Sequence, residues 1–256
     1  MKITGNTILV TGGTSGIGHA LAEAFYDLGN EVIITGRRDQ LLRQITAGRP
    51  HYTGICLDVA DPSSVIRLGR QIRDEFPHLN VLIANAGISR DENIMADGWN
   101  TLDAEEIVET NILGVLRVTA ALLPILKKHE NAAIMATASA LAFIPKADFP
   151  TYCASKAFLH SWLQSLRHQL QSIPIEVLEL LPPYVQTALT GDQQVRDPRA
   201  MPLTEYIAKV MTILAEKDHA NGEILLECDH PRRWAEKNGS YDQIFAAMNP
   251  LTQLSE

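Results

Sequence analysis

The chain is poor in cysteine, carries no excess of basic residues and lacks any long uninterrupted apolar run. Its three cysteines, Cys56, Cys153 and Cys228, are odd in number and widely scattered. That argues against a disulfide framework and shows no metal-ligand spacing; reduced thiols in a cytoplasmic protein are the expected reading. Lysine and arginine total 22 against 30 aspartates and glutamates, a formal net charge of −8. A general nucleic-acid binder would carry a basic face, so no nucleic-acid partner is expected. No stretch approaches the ~18 consecutive apolar residues of a membrane span, so no membrane partner is expected either. The opening Met1-Lys2-Ile3-Thr4-Gly5-Asn6 is short and polar, without a secretory pattern. What remains is ordinary globular composition, 46% hydrophobic and 20% charged over 256 residues, enough for one sizeable core.

Strand and helix patterns alternate along the chain. Thr7 to Val10 is an apolar, β-rich run that stops at a glycine cluster, His19 to Leu28 has helical periodicity closed by Gly29, and Glu31 to Thr35 is the next strand. Further strands are expected over Gly54 to Leu57, Val81 to Ala84, Ala132 to Thr137, Ile175 to Leu181 and Ile224 to Leu226. Between them, helices are expected from Asp61-Pro62 to Phe76, Asp103 to His129, Thr151 to Ser172 and Leu203 to Glu216. Such alternation predicts an α/β fold, a single-domain Rossmann-type doubly wound parallel sheet with helices on both faces. A polar stretch from Gly191 to Pro202 reads as a mobile surface loop, part of a substrate loop near 188–203, and the tail after Asp229 has no clear pattern.

Two places carry chemistry. The first strand runs into Thr11-Gly12-Gly13-Thr14-Ser15-Gly16-Ile17-Gly18, and a helix starts there. Small residues let backbone approach a pyrophosphate, and a helix N-terminus offers free N–H groups and a positive dipole end. A glycine motif alone can be a tight turn; the strand-to-helix setting makes it a nucleotide site. The second strand ends Thr35-Gly36-Arg37-Arg38. An acid near this position favours NAD(H), whereas arginine favours the 2′-phosphate of NADP(H). NADP(H) is therefore favoured over NAD(H), although Asp39 keeps NAD(H) open and the arginines could be a solvated pair. The second place is Tyr152-Cys153-Ala154-Ser155-Lys156. Residues i and i+4 share a helix face, and a nearby cation favours phenolate, so the pair could act as acid or base. Alone, that spacing is commonly an exposed helix face.

Together these motifs resemble the classical short-chain dehydrogenase/reductases, from Thr11 to Thr187. The glycine loop has the family's Thr-Gly-x-x-x-Gly-x-Gly form, Asn85-Ala86-Gly87 matches its sheet-stabilising motif, and Asn111, Ser139, Tyr152 and Lys156 follow the order of its tetrad. The opening segment and Leu166-Arg167-His168-Gln169-Leu170 are most similar to DltE-type oxidoreductases. The resemblance implies an NAD(P)-dependent oxidoreductase acting on a small carbonyl or alcohol substrate. Tyr152 would exchange a proton with the substrate oxygen, Lys156 would depress the Tyr152 pKa and bond the nicotinamide ribose, Ser139 would hold the substrate oxygen, and Asn111 would anchor a relay water. Gly12, Thr14, Ser15, Gly16, Ile17 and Gly18 would hold the pyrophosphate, Arg37 and Arg38 the adenosine end, and Asp58 and Val59 the adenine. Asn85, Ala86, Gly87, Pro182, Val185 and Thr187 would complete the cofactor contacts, Thr187 at the carboxamide. No metal is implied. A homodimer or higher homo-oligomer through the helices carrying Asn111 and Tyr152 is also implied.

The chain departs from the family in two ways. Pro182-Pro183-Tyr184 stands where the family commonly has Pro-Gly, and no glycine-rich ending follows Leu226. Leu141, Phe143, Tyr184, Val185 and Leu189 suggest a largely apolar substrate pocket. A competing reading is a non-catalytic dinucleotide sensor on the same fold; retention of Ser139 with Tyr152 and Lys156 argues against it.

Overall fold

Apolar strands that must be covered on both faces dictate the architecture of the computed structural model, which describes residues 1–216 and 219–250. The strands are β1 Thr7–Thr11, β2 Glu31–Gly36, β3 Tyr52–Cys56, β4 Val81–Ala84, β5 Ala132–Thr137, β6 Ile175–Leu181 and β7 Glu223–Leu225. All pair in parallel, in the order β3-β2-β1-β4-β5-β6-β7. The first helices are α1 Gly16–Asp27, α2 Asp39–Thr46, α3 Pro62–Glu75 and α4 Leu102–Ile107. A π-helical turn, Val108–Leu113, joins α4 to α5 Gly114–Leu126, and α6 Pro150–Leu170, α7 Asp192–Arg196 and α8 Leu203–Ala215 follow. Three short helices, α9 His230–Arg233, α10 Ala235–Asn238 and α11 Tyr241–Met248, come after the sheet.

Side chains alternate across each strand, so one apolar run feeds two cores. Ile8 and Val10 of β1 pack with Leu21 and Phe25 of α1 and with Tyr206 and Val210 of α8. Leu9 faces the other way, with Leu68 and Ile72 of α3, Leu122 of α5, and Leu159 and Leu163 of α6. Each such fully buried Leu or Ile contributes about 1.5–3 kcal/mol. The stretch Leu102–Leu126 is long and apolar enough to cross a membrane by length and composition. Here it is a core layer, with Val115, Val118, Leu122, Ile125 and Leu126 buried.

Three differences from the sequence expectation have physical causes. The first helix starts at Gly16 rather than His19, so its N-terminus reaches into the glycine loop. The long helix is broken by its π turn, inside which Asn111 is fully buried; such turns redirect side chains. The stretch read as a loop contains a helix, α7, and is flanked by two backbone bonds: Gln186 N–H donates to the Met201 carbonyl (2.9 Å) and Met201 N–H to the Tyr184 carbonyl (2.8 Å).

Candidate active site

A cleft of about 530 Å³ opens at the carboxyl ends of the strands, where β1 and β4 lie side by side and the strand order reverses. Its frame is set by hydrogen bonds between strand ends. The Thr11 hydroxyl accepts from the Asn85 and Ala86 N–H groups (both 3.0 Å), and the Asn85 amide donates to the Thr11 carbonyl (3.2 Å). The Thr137 hydroxyl donates to Asn85 Oδ1 at 3.2 Å, so β1, β4 and β5 are joined at one level.

The glycine loop is packed against this frame. A Cβ on Gly12, which has φ +67°, would lie 2.9 Å from Ala86 Cα; one on Gly18 would lie 2.3 Å from Asn85 Nδ2. Ser15, the N-cap of α1, makes no side-chain cap, and the first turn holds no acidic residue. Its N–H groups and dipole therefore face the cleft unneutralised, a cradle that fits the pyrophosphate of a dinucleotide. Arg37 and Arg38 both line the wall beyond it, and Arg38 donates to the Thr14 hydroxyl at 3.1 Å. Asp39 points elsewhere: its carboxylate is paired with Arg43 at 2.7 Å. Asp58 and Val59 line the same wall, Asp58 also accepting from the Ala60 N–H (2.9 Å).

At the other end, α6 carries Tyr152 and Lys156, 8% and 4% exposed, and Ser139 follows β5 at 7%. Lys156 Nζ donates to the Thr137 carbonyl at 2.7 Å and lies 5.5 Å from the Tyr152 ring centroid. Burial raises the Tyr152 pKa above its ordinary value, and the hydrogen bond with Ser139 only partly offsets this. The same burial lowers Lys156 to about 8. Desolvation, which disfavours charge, is the largest cause of the shift at both members of the pair.

Eighteen of the expected site residues line this cleft together: Gly12, Thr14, Ser15, Gly16, Ile17, Arg37, Arg38, Asp58, Val59, Asn85, Ala86, Gly87, Ser139, Tyr152, Lys156, Pro182, Val185 and Thr187. Gly18 and Asn111 stand behind the wall. Asn111 Oδ1 accepts from the Ile88 N–H (2.9 Å), and its Nδ2 donates to the Ile88 carbonyl (2.9 Å) and the Ser155 hydroxyl (3.1 Å). Its side chain clamps the turn after β4 to α6.

Leu141, Phe143 and Tyr184 are not in the wall, although Val185 and Leu189 are. Phe143 packs on His160, and the Tyr184 hydroxyl donates to Asp197 at 3.2 Å. Arg90, Thr110 and Gln194 line the cleft without having been foreseen. Gln194 donates to the Val185 carbonyl (2.7 Å) and the Thr187 hydroxyl (3.2 Å), holding the segment after β6 in place. Nothing local marks it; Thr110 had a signal only in its neighbour Asn111.

Residues 6–197 match the family described as short chain dehydrogenase. The chain belongs to that family. As a short-chain dehydrogenase it is an NAD(P)-dependent oxidoreductase acting on CH–OH and C=O groups. It is 38% identical over 259 residues to the oxidoreductase DltE of Bacillus subtilis (strain 168), covering 97% of this chain and 98% of that protein. A short-chain dehydrogenase from Burkholderia cenocepacia in complex with NADP superposes with a TM-score of 0.81 at 22% identity, covering 98% and 100% of the two chains. One from Burkholderia phymatum in complex with NAD superposes with 0.79 at 22%, covering 100% of both. The structural likenesses show the fold, and because one neighbour holds NADP and the other NAD, they leave the choice of dinucleotide open.

Proposed function

We propose that this short-chain dehydrogenase reduces a carbonyl substrate with NADPH, Tyr152 being the proton donor. The observation that carries the reading is geometric: the Ser139 and Tyr152 side chains line the same cleft as the glycine cradle, with Lys156 Nζ 5.5 Å from the phenol ring. A phenol flanked by a second hydroxyl and an ammonium group can deliver its proton to a carbonyl oxygen bound between them. When bound, the dinucleotide supplies the hydride. The Ser139 hydroxyl donates a hydrogen bond to the carbonyl oxygen and orients it, and Tyr152 passes its proton to that oxygen. Lys156, protonated below about 8, keeps a positive charge under the phenolate left behind. Asn111 contributes through position, by holding Ile88 against α6.

The preference for NADPH rests on Arg37 and Arg38, two guanidiniums on the cleft wall that would pair with a 2′-phosphate, while the neighbouring Asp39 carboxylate is taken up by Arg43. A homodimer or higher homo-oligomer belongs to the same reading: Leu102, Val108 and Phe158 leave apolar surface exposed on α4, the π turn and α6. So does a cytoplasmic location, where Cys56, Cys153 and Cys228 stay as free thiols.

The test is a paired fluorescence titration with NADPH and NADH, followed by reduction of 4-nitrobenzaldehyde and a panel of ketones. Tighter NADPH binding and NADPH-dependent turnover are expected. Tighter NADH binding would overturn the cofactor preference, and binding without turnover of any carbonyl would favour a sensor.

A further inference from the structure

The connection between the two catalytic hydroxyls, from Ala140 to Phe149, has one short 3-10 turn, Ala140–Ala142, and pairs with no strand. It is held from outside, mainly by residues after β7. Arg233 forms a two-pronged ion pair with Glu223 (both contacts 2.8 Å), and its guanidinium carbon lies 4.8 Å from the Phe143 ring centroid. The opposite contact of Phe143 is edge-to-face with His160 of α6, 4.9 Å between centroids, and His160 Nδ1 bonds the fully buried Glu179 of β6 at 2.9 Å. His160, Glu179 and Glu223 bring ligand-type atoms within 4.8 Å of one another, but Glu223 is already neutralised by the Arg233 fork. The group is an anchor of charges and rings rather than a cation site.

A second grip follows a few residues later. Lys146 Nζ donates to the Met248 carbonyl at 2.9 Å. The Ala147 N–H donates to Asn249 Oδ1 at 2.7 Å, and Asn249 Nδ2 donates to the Pro145 carbonyl at 3.0 Å. One asparagine side chain thus satisfies backbone groups on both sides of Lys146, as a strand partner would. A third contact comes from the loop after β4: the Glu92 N–H donates to the Asp148 carbonyl, and its carboxylate accepts from the Thr151 N–H and hydroxyl (all 2.9 Å).

We infer that the segment Glu227–Asn249 is a positioning element of the active site, with Arg233 and Asn249 fixing the Phe143–Ala147 backbone and through it the relation of Ser139 to Tyr152. This rests on the reading of Ser139 and Tyr152 as the reacting pair. Phe143 and Lys146 do not line the cleft, so their grip acts on geometry and not on substrate contact. Errors of about 1 Å in such geometry lower rates about a hundredfold. The segment carrying both grips had no pattern by which sequence alone would assign it a role.

The experiment compares Asn249→Ala, Arg233→Met and Arg233→Lys with the wild-type full chain in hydrogen exchange, NADPH binding and steady-state reduction of 4-nitrobenzaldehyde. In Asn249→Ala and Arg233→Met, the amides of Phe143–Ala147 are expected to exchange about tenfold faster or more while Gly12–Gly18 keep their protection. The kcat is expected to fall about ten- to a hundredfold with NADPH affinity unchanged. Arg233→Lys recovers part of the loss, since lysine keeps the charge without the planar fork. Unchanged exchange at Phe143–Ala147, or exchange rising equally throughout the chain, overturns the inference. So does faster local exchange with wild-type kcat and KM. If the wild type reduces no carbonyl, the proposed reaction fails, while the exchange comparison still decides whether these side chains hold the connection.

Discussion

Under β1 and β2 the cleft is built from near neighbours in sequence: Thr11 to Gly18 and Thr35 to Arg38 lie within one β-α-β unit. At the reacting end, Ala147 is held by Asn249 and Phe143 by Arg233, across roughly a hundred residues of chain. The first region is shaped by backbone geometry and leaves no room for a Cβ at Gly12, Gly13 or Gly18. The second is shaped by side-chain contacts between segments far apart in the chain. A backbone-defined site can be shared by relatives that differ in substrate, whereas a side-chain-defined rim is free to diverge.

The sharpest way to separate the two regions is Tyr152→Phe. It is expected to lower kcat for carbonyl reduction by about 10²–10⁴-fold while NADPH fluorescence titration stays unchanged. Near-normal turnover would remove the proton-donor role. Gly18→Ala attacks the other region, since its methyl would sit 2.3 Å from Asn85 Nδ2 and 2.6 Å from the Gly12 carbonyl. Thermal unfolding should report a loss of about 1–3 kcal/mol together with weakened binding of either dinucleotide. Wild-type stability there would show that the loop and sheet are less tightly joined than these distances require.

A smaller effect is expected from replacing Arg37 and Arg38 together by alanine. NADPH affinity should fall about tenfold or more while NADH affinity holds, as for lost charge-assisted hydrogen bonds. Equal losses for both would assign the arginines to general attraction. The smallest effect is on pH dependence. Lys156 is lowered to about 8, so its ammonium is present below that pH and lost as pH rises through it. The kcat/KM for carbonyl reduction should decline across that window, whereas a profile flat from about pH 6 to about pH 10 would exclude the lysine charge from the chemistry.

The bounds expected for β4, β5 and β6 coincide with those observed, because strands buried on both faces read as near-continuous apolar runs, broken in β6 only by Glu176 and Glu179. Helix α2 was not legible: it buries only Leu42 and holds its exposed side with the Asp39–Arg43 pair. Asn111 was found as a residue but not as a clamp, since the π turn that aims it inward leaves no periodic trace. The Tyr152–Lys156 spacing stood out only in company with the family's other motifs, and the burial that shifts both pKa values is something no spacing conveys.

The sequence by itself determined the doubly wound sheet, the dinucleotide loop and the Ser139, Tyr152 and Lys156 constellation. The sheet follows from periodicity and the loop from a motif within one β-α-β unit, while the constellation follows from the resemblance to the family's ordered motifs. Only the tertiary structure decided that Asp39 faces Arg43, that Gln194 pins Thr187, and that Phe143 turns from the cleft to meet Arg233. Each is a pairing between side chains whose distance in space is set by packing, and packing is a property of the whole chain at once.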